Sequence, residues 1–376
     1  MNTTDTPPEL SIIAWEITRR CMMDCRHCRA GEKPVTAEGE LSTRECFKLA
    51  DEIVSFSSPV VMITGGEPML RDDLPEIVDY LSGRGLGTTL SPCGPLVREQ
   101  SLADLKDAGL GYISFSIDAV DPAAHDDFRR YRGAFASVLT GIESAKKAGL
   151  DFAILTTVTR RNVTDLPRMI RFASDLGASF FIPFFLVATG TGKSIRHQQL
   201  PPAEYESCLN LLYDLSTGRH KLPIRSDMVI RPGCAPPFHR IVQQREGAYR
   251  LSFFDRPVTD GCLAGISFMF ISYSGIVQPC GYLDLECGDI RREPLRTIWE
   301  TSPVFCNIRN PQAYKGKCGV CEFLFVCRGC RARAHAESGN YMHEDPSCCH
   351  RPDVRQEHRR SGENAMAGDR WTLSRE

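Results

Sequence analysis

No apolar run in this chain approaches the roughly 20 residues that a membrane-spanning helix requires, which argues against an integral helical membrane protein. Charge of one sign is equally scarce. The 45 lysines and arginines stand against 47 acidic residues, a net charge of −2. There is no field to draw in nucleic acid or an anionic membrane surface. Residues 1–9 lack the basic and apolar regions of a signal peptide, and no unit recurs with a solenoid period. The expectation is a cytoplasmic globular protein with neither nucleic acid nor membrane among its partners. At 376 residues, 42% hydrophobic and 24% charged, it has room for two domains or one large α/β domain.

What the chain has in excess is cysteine, 17 in all. In a reducing compartment dense cysteine signals metal more often than disulfides, and the odd count also argues against a fully paired framework. The placement is uneven. Three lie at Cys21, Cys25 and Cys28; Cys46, Cys93 and Cys208 are scattered; the rest crowd from Cys234 to Cys349.

Apolar runs bounded by turn residues predict strands over 10–17, 59–63, 87–90, 112–117, 152–158 and 179–185. Helical patterns fall between them over 43–55, 73–82, 100–108, 135–148 and 166–176, several ending at a glycine. This alternation predicts βαβ units and a parallel sheet, with the active site at the C-terminal ends of the strands. Residues 188–200 are glycine-rich and polar and read as a loop or linker, followed by a helix over 202–216. From about Cys262 the chain turns to short strands, glycines and cysteines, a region that borrows stability from metal. The charged stretch after Pro352 is expected to be disordered.

Cys21, Cys25 and Cys28 form C-x3-C-x2-C just after the first strand. A cubane iron–sulfur cluster normally takes four cysteines. Three on one loop imply an iron without a protein ligand, open to a substrate or cofactor. A zinc site with His27 as fourth ligand is the plain alternative, but His27 lies between two of the cysteines on the same tight loop, which makes tetrahedral closure awkward. Gly65-Gly66-Glu67-Pro68 follows the second strand. Its glycines allow close approach of a bound group, and its carboxylate suits an ammonium group.

Together these two motifs resemble the radical S-adenosylmethionine (SAM) enzymes, over residues 10–185 or so. The resemblance implies a partial (β/α)6 TIM-like barrel, and a 4Fe-4S cluster on Cys21, Cys25 and Cys28 whose open iron binds SAM. Reductive cleavage of SAM in that family yields a 5′-deoxyadenosyl radical. By the same resemblance Gly65, Gly66 and Glu67 match the segment that binds the methionyl amine. Ser116 and Asp118 match a segment near the ribose, and Arg129 matches a carboxylate-binding arginine with Arg130 and Arg132 as close competitors. Cys93 stands where relatives usually have asparagine, and Ala119 where they have glycine.

Cys262 and Cys280, then Cys318-x2-Cys321-x5-Cys327-x2-Cys330 and Cys348, resemble the SPASM/twitch auxiliary-cluster domain, with one residue fewer than usual before Cys330. A zinc ribbon is the plain alternative for Cys318–Cys330. The resemblance implies one auxiliary 4Fe-4S cluster on Cys318, Cys321, Cys327 and Cys348. Cys262, Cys280 and Cys330 remain for a second, with Cys234 or Cys287 as its fourth ligand. The implied organisation is a polar leader at 1–9, a radical SAM core at 10–187, a bridging region at 188–254, an auxiliary-cluster domain at 255–352 and a tail at 353–376.

Gly261–Gly265, Gln278–Leu283, Tyr314–Glu322, Cys330–Ala334 and Glu344–Pro346 are most similar to the heme synthases of the siroheme-dependent pathway, with the enzymes of d-type heme synthesis as nearest sisters. That implies oxidative decarboxylation of two propionates of iron-coproporphyrin III, a tetrapyrrole substrate, and an external low-potential electron donor of flavodoxin or ferredoxin type. Arg19, Arg20, Arg331 and Arg333 are candidate propionate partners. His27, His197, His239 and His335 are candidates for an axial iron ligand. A SPASM peptide maturase is the first rival; only a short polar segment precedes residue 10, where such enzymes often carry a peptide-binding domain. A non-catalytic cluster carrier is the second, disfavoured by the open-iron spacing and the Glu67 segment.

Overall fold

The structure is a computed structural model that describes residues 8–31, 36–246, 251–253, 256–258 and 261–353. The first seven residues and the tail beyond Asp353, expected to be polar leader and disorder, lie outside the described residues.

Six parallel strands form the centre: β1 (Ile12–Thr18), β2 (Val60–Gly65), β3 (Thr88–Leu90), β4 (Tyr112–Ser116), β5 (Phe152–Val158) and β6 (Phe180–Phe185). Each falls within a residue or two of its expected span. Buried on both faces, they read as near-continuous apolar runs rather than alternating ones. Ile13, Trp15 and Ile17 of β1 are all 1% exposed or less.

Helices cover the sheet. The first, α1 (Thr43–Val54), starts at Ser42, whose side chain accepts the Glu45 backbone N–H while Glu45 reaches back to Ser42, a capping box. It buries Cys46, Leu49, Ala50 and Ile53 at helical spacing. Next come α2 (Leu74–Gly83), α3 (Glu99–Asp107), α4 (Pro122–Arg129), α5 (Ala134–Lys147), α6 (Leu166–Leu176) and α7 (Pro202–Ser216). Cys46 and Cys208 are buried in this core.

Two features depart from the expectation. The sheet does not stop at six strands. A short β7 (Val229–Ile230) adds to β6, α8 (Pro237–Glu246) follows, and β8 (Leu251–Phe253) and β9 (Arg256–Val258) form a separate hairpin. Beyond it, β10 (Phe268–Ile271) pairs parallel to β1 with Ile12 opposite Phe268. β11 (Ile276–Gln278) and β12 (Gly288–Asp289) continue antiparallel, giving ten strands in one sheet. The cysteine-rich region is therefore hydrogen-bonded directly to the core. It ends in short helices: α9 (Leu295–Thr301), α10 (Pro303–Arg309), α11 (Gly316–Gly319), α12 (Leu324–Cys327) and α13 (Arg331–Ser338).

The second departure concerns the expected linker at 188–200. Its Gly190–Gln198 segment is a 3-10 helix folded over the loop that follows β1. The Thr191 hydroxyl donates to the carbonyls of Cys25 (3.0 Å) and Cys28 (3.1 Å). A Cβ on Gly190 would stand 2.3 Å from the Arg29 carbonyl oxygen, so only glycine fits there. Glycine content here reflects close packing rather than looseness.

Candidate functional site

The loop after β1 is tied down from three sides. Gly66 N–H donates to the Thr18 carbonyl and Glu67 N–H to the Arg20 carbonyl, each at 2.7 Å. A Cβ on Gly66 would lie 2.2 Å from the Arg20 carbonyl oxygen, and one on Gly65 would lie 2.5 Å from that of Thr18. These glycines are thus required first by the contact of the β2 turn with the cysteine loop. The Gly190–Gln198 segment covers a second side. On the third is α4, where Arg26 donates to Asp127, Arg130 pairs with Asp24, and the His27 ring stacks on Phe128 at 4.5 Å.

Helix α4 escaped the reading of periodicity because it is only eight residues long. Its start signal is nonetheless present: the Asp121 side chain accepts the Ala124 N–H at 2.8 Å, and Pro122 occupies the first turn.

Within this frame Cys25 is buried and Cys21 and Cys28 are partly buried. Glu67 is fully buried, one carboxylate oxygen accepting Met69 N–H at 2.9 Å and the other Cys93 N–H at 2.7 Å. Burial pushes its carboxyl up to about 7 against the pull of those two amides. Glu67 therefore holds the β2 and β3 turns together beside Cys21. Ser116 ends β4, partly exposed. Asp118 is buried and its carboxylate meets Arg129 at 2.7 Å and the Thr157 N–H at 2.7 Å. Burial alone would raise that carboxyl; the Arg129 guanidinium beside it holds it below the usual carboxylate range. The other arm of Arg129 lies 4.0 Å from the Cys25 sulfur. Its competitors point elsewhere, Arg130 to Asp24 and Arg132 to the exterior. The sheet thus gathers Gly65, Gly66, Glu67, Asp118, Arg129 and the three cysteines at one end of its strands.

His125 supports this end: its Nδ1 accepts the Asp118 N–H at 3.1 Å, which requires a neutral ring. Burial lowers its pKa from 6.5 to about 4, with Asp118 opposing. The unfolded chain takes up that proton near pH 6.5 and the folded one only near 4. Stability from this residue is complete above about pH 6.5 and is lost as pH falls toward 4, by about 3 kcal/mol. His125→Asn keeps an acceptor that does not titrate. Its denaturation midpoint is expected to fall less between pH 6.5 and 4.5 than that of the parent; equal losses would contradict the assignment.

Eight of the remaining cysteines form two further groups. Cys318, Cys321, Cys327 and Cys348 line one pocket with Arg240, Arg328 and Gly329. Cys318 sits in α11 and Cys327 ends α12, where Arg328 takes a left-handed φ of 60° that favours glycine. In the other group Cys234, Cys280 and Cys330 pack together with Val187 and Leu283. Burial raises the Cys234 thiol, and Cys330, Cys280 and Cys262 raise it further. Cys287 lies apart, its thiol donating to the Leu285 carbonyl and feeling Ser302, Arg309 and Glu286. Of the two alternatives for a fourth ligand, Cys287 lies elsewhere and Cys234 packs with the second group. Gly233 explains its reach: it bridges to Phe184 at the end of β6, and Cys234 then turns with φ 50°.

A buried ion pair lies within the second group. Asp345 accepts from Arg333 at 2.9 Å and from the Cys330 N–H at 2.8 Å, while Arg333 donates to the Cys234 carbonyl at 2.9 Å. Arg331, fully buried, donates to the carbonyls of Gly329, Tyr341 and His343 and reaches the Cys318 sulfur at 3.7 Å. Both arginines are committed to the cysteine groups and are unsuited to propionates. Arg19 and Arg20 stay partly exposed, paired with Glu16 and Glu40.

The strand reading missed Glu16. It is fully buried in β1 and meets Arg29 at 3.2 Å and Arg19 at 3.1 Å. Its signal was a charge inside an otherwise apolar strand. Arg29 also lies over the Phe270 ring, 4.5 Å from its centroid, and a Cβ on Gly281 would stand 3.3 Å from its side chain. The residue after Cys28 therefore touches the residue after Cys280.

Sulfur spacing tests what these groups fit. Ligands sharing one tetrahedral ion at about 2.3 Å stand about 3.8 Å apart. Among the described residues only Cys321, Glu322 and His350 bring three ligand atoms within 4.8 Å of one another. The groups of three, four and four cysteines are wider than that, which suits cubane clusters, whose ligands sit on separate irons, better than single zinc ions.

Comparison with known proteins agrees. The Radical SAM superfamily profile matches residues 15–173, and that of the SPASM iron-sulfur cluster-binding domain matches 262–330. The AdoMet-dependent heme synthase of Oleidesulfovibrio alaskensis is 41% identical over 353 residues, 93% of this chain and 89% of that protein. The pre-heme d1 synthase of Dinoroseobacter shibae is 28% identical, over 91% of this chain and 88% of that protein. The solved structure of native anSMEcpe with bound AdoMet superposes with a TM-score of 0.67 at 17% identity, covering 95% of this chain and 97% of that one; this last likeness is one of fold.

Proposed function

The chain belongs to the radical SAM superfamily, among the AdoMet-dependent heme synthases, and from that premise we propose that it oxidatively decarboxylates two propionates of iron-coproporphyrin III, giving protoheme. It is an enzyme that uses SAM, a 4Fe-4S cluster and SPASM-type auxiliary iron–sulfur centres. The observation that carries the substrate is the 41% identity to a heme synthase across nearly the whole chain, against 28% to the pre-heme d1 synthase. Peptide-modifying relatives such as the PqqA peptide cyclase of Granulibacter bethesdensis match at 27% identity, well below the 41% to the heme synthase. Among the described residues no helix is long and apolar enough to cross a membrane.

In this reading Cys21, Cys25 and Cys28 hold the SAM-binding cluster. Cys318, Cys321, Cys327 and Cys348 hold one auxiliary cluster, and Cys262, Cys280, Cys330 and Cys234 a second. When bound, these groups supply a 5′-deoxyadenosyl radical that takes one hydrogen from a propionate β-carbon, and an acceptor for the electron released as carbon dioxide leaves and the vinyl double bond forms. The protein's own residues position this chemistry. Glu67 fixes the turns beside Cys21, and the segment Gly65–Glu67 would face the methionyl amine. Ser116 and Asp118 lie toward the ribose, with Arg129 between Asp118 and Cys25. Arg29 joins the SAM-cluster loop to the Cys280 loop, with Glu16 on one side and Gly281 on the other. Arg19 and Arg20, still partly exposed, are the cations left for propionates.

The test is an anaerobic incubation of reconstituted enzyme with SAM, a low-potential reductant and iron-coproporphyrin III, followed by mass spectrometry. Loss of two carboxyl groups, with deoxyadenosine formed in step, is expected. Deoxyadenosine without change in this porphyrin would overturn the substrate and direct attention to the d-type heme precursor.

A further inference from the structure

Cys93 lies in the turn after β3 and belongs to neither auxiliary group. Its backbone N–H donates to Glu67 at 2.7 Å, and its sulfur lies 3.3 Å from the Gly66 carbonyl oxygen and 3.8 Å from the sulfur of Cys21. It packs with Met23, Cys25, Ala134 and Tyr131. Its position is held from behind: Gly94 takes a φ of 110°, and a Cβ there would stand 3.2 Å from the Val138 backbone nitrogen.

Two sulfurs this close could share one ion, but among the described residues no third ligand atom joins them at that spacing. Nor can Cys93 be a further ligand on the iron that Cys21 binds, since a cubane iron that holds three bridging sulfides and a cysteine thiolate is already four-coordinate. What remains is a hydrogen bond. A metal-bound Cys21 is a thiolate and has given up its proton. The proton between the two sulfurs then belongs to Cys93. Cys21 already receives the Met23 N–H at 3.4 Å, and Cys93 adds a second donor. Hydrogen bonds to cluster sulfurs tune reduction potential. A donor favours the more negative, reduced state and so makes reduction easier.

We propose that the Cys93 thiol donates a hydrogen bond to the ligand sulfur of Cys21 and thereby raises the reduction potential of the SAM-binding cluster. The inference rests on Cys21, Cys25 and Cys28 holding that cluster. The Gly66 carbonyl is the competing acceptor, and the experiment decides between them.

The parent, Cys93→Ala and Cys93→Ser are reconstituted as full chains, assayed for iron, and titrated by electron paramagnetic resonance. The relevant signal is the one that Cys25→Ala lacks. If the parent has no such signal, the cluster assignment itself fails. If it has one, the alanine variant is expected to show about fivefold less reduced cluster at a fixed potential below saturation, about 40 mV for a one-electron couple. The serine variant, which keeps a proton to donate, returns toward the parent. Loss of iron by alanine alone, with serine at the parent potential, also supports the proposal. Equal potentials in parent and alanine variant, equal falls in alanine and serine, or loss of iron by both variants would overturn it.

Discussion

Alanine at Cys25 brings 5′-deoxyadenosine formation to background while leaving iron in the auxiliary groups. With only three cysteines on the loop, losing one leaves two anchors for a cluster that already lacks a fourth. Cys25 is the buried member of the three, and Arg129 faces its sulfur. The fold survives because this patch, with Met23 and Ala134, is distinct from the main core. Liquid chromatography of deoxyadenosine together with iron analysis reads both halves of the prediction. Deoxyadenosine at the parent rate would mean that the cysteines of this loop do not carry the chemistry.

The second large effect separates SAM cleavage from product formation. Cys318→Ala and Cys327→Ala keep deoxyadenosine formation and lose decarboxylated porphyrin to background. Each removes one of the four sulfurs lining the same pocket. Substrate activation needs the loop after β1, whereas release of carbon dioxide needs somewhere for one electron to go. Cys234→Ala behaves in the same way, and Cys287→Ala, whose thiol packs away from both groups, retains parent activity. Porphyrin mass spectra alongside deoxyadenosine counts distinguish the outcomes. Full heme formation by the Cys318 and Cys327 variants would remove the acceptor role from that pocket.

The six central strands and most of their helices were legible because each is a long apolar run or a helical period bounded by turn residues, signals that depend on nearby residues alone. The two cysteine motifs were legible for a different reason: ligands on one loop must be close in sequence. What escaped were features set by distant partners. Short β10 becomes a sheet strand only because β1 offers an edge to it, as Ile12 opposite Phe268 shows. Residues 188–200 looked like a linker because glycine that serves close packing, as at Gly190, is spelled like glycine that serves flexibility. The choice between Cys234 and Cys287 could not be made along the chain, since Cys234 arrives from the far end of β6. Cys93, one of the scattered cysteines, meets Cys21 only because the β3 turn brings it there. Arg331 and Arg333, offered as propionate partners by their nearness to cysteines, are buried donors to their own chain.

On the proposed function, hydrogen leaves the propionate β-carbon of a porphyrin before carbon dioxide does. The direct measurement is isotopic. Iron-coproporphyrin III deuterated at those β-carbons is turned over anaerobically with SAM and reductant, and the deoxyadenosine is weighed by mass spectrometry. One deuterium is expected in each deoxyadenosine, and one deoxyadenosine for each vinyl group formed. Unlabelled deoxyadenosine accompanying vinyl formation would contradict it.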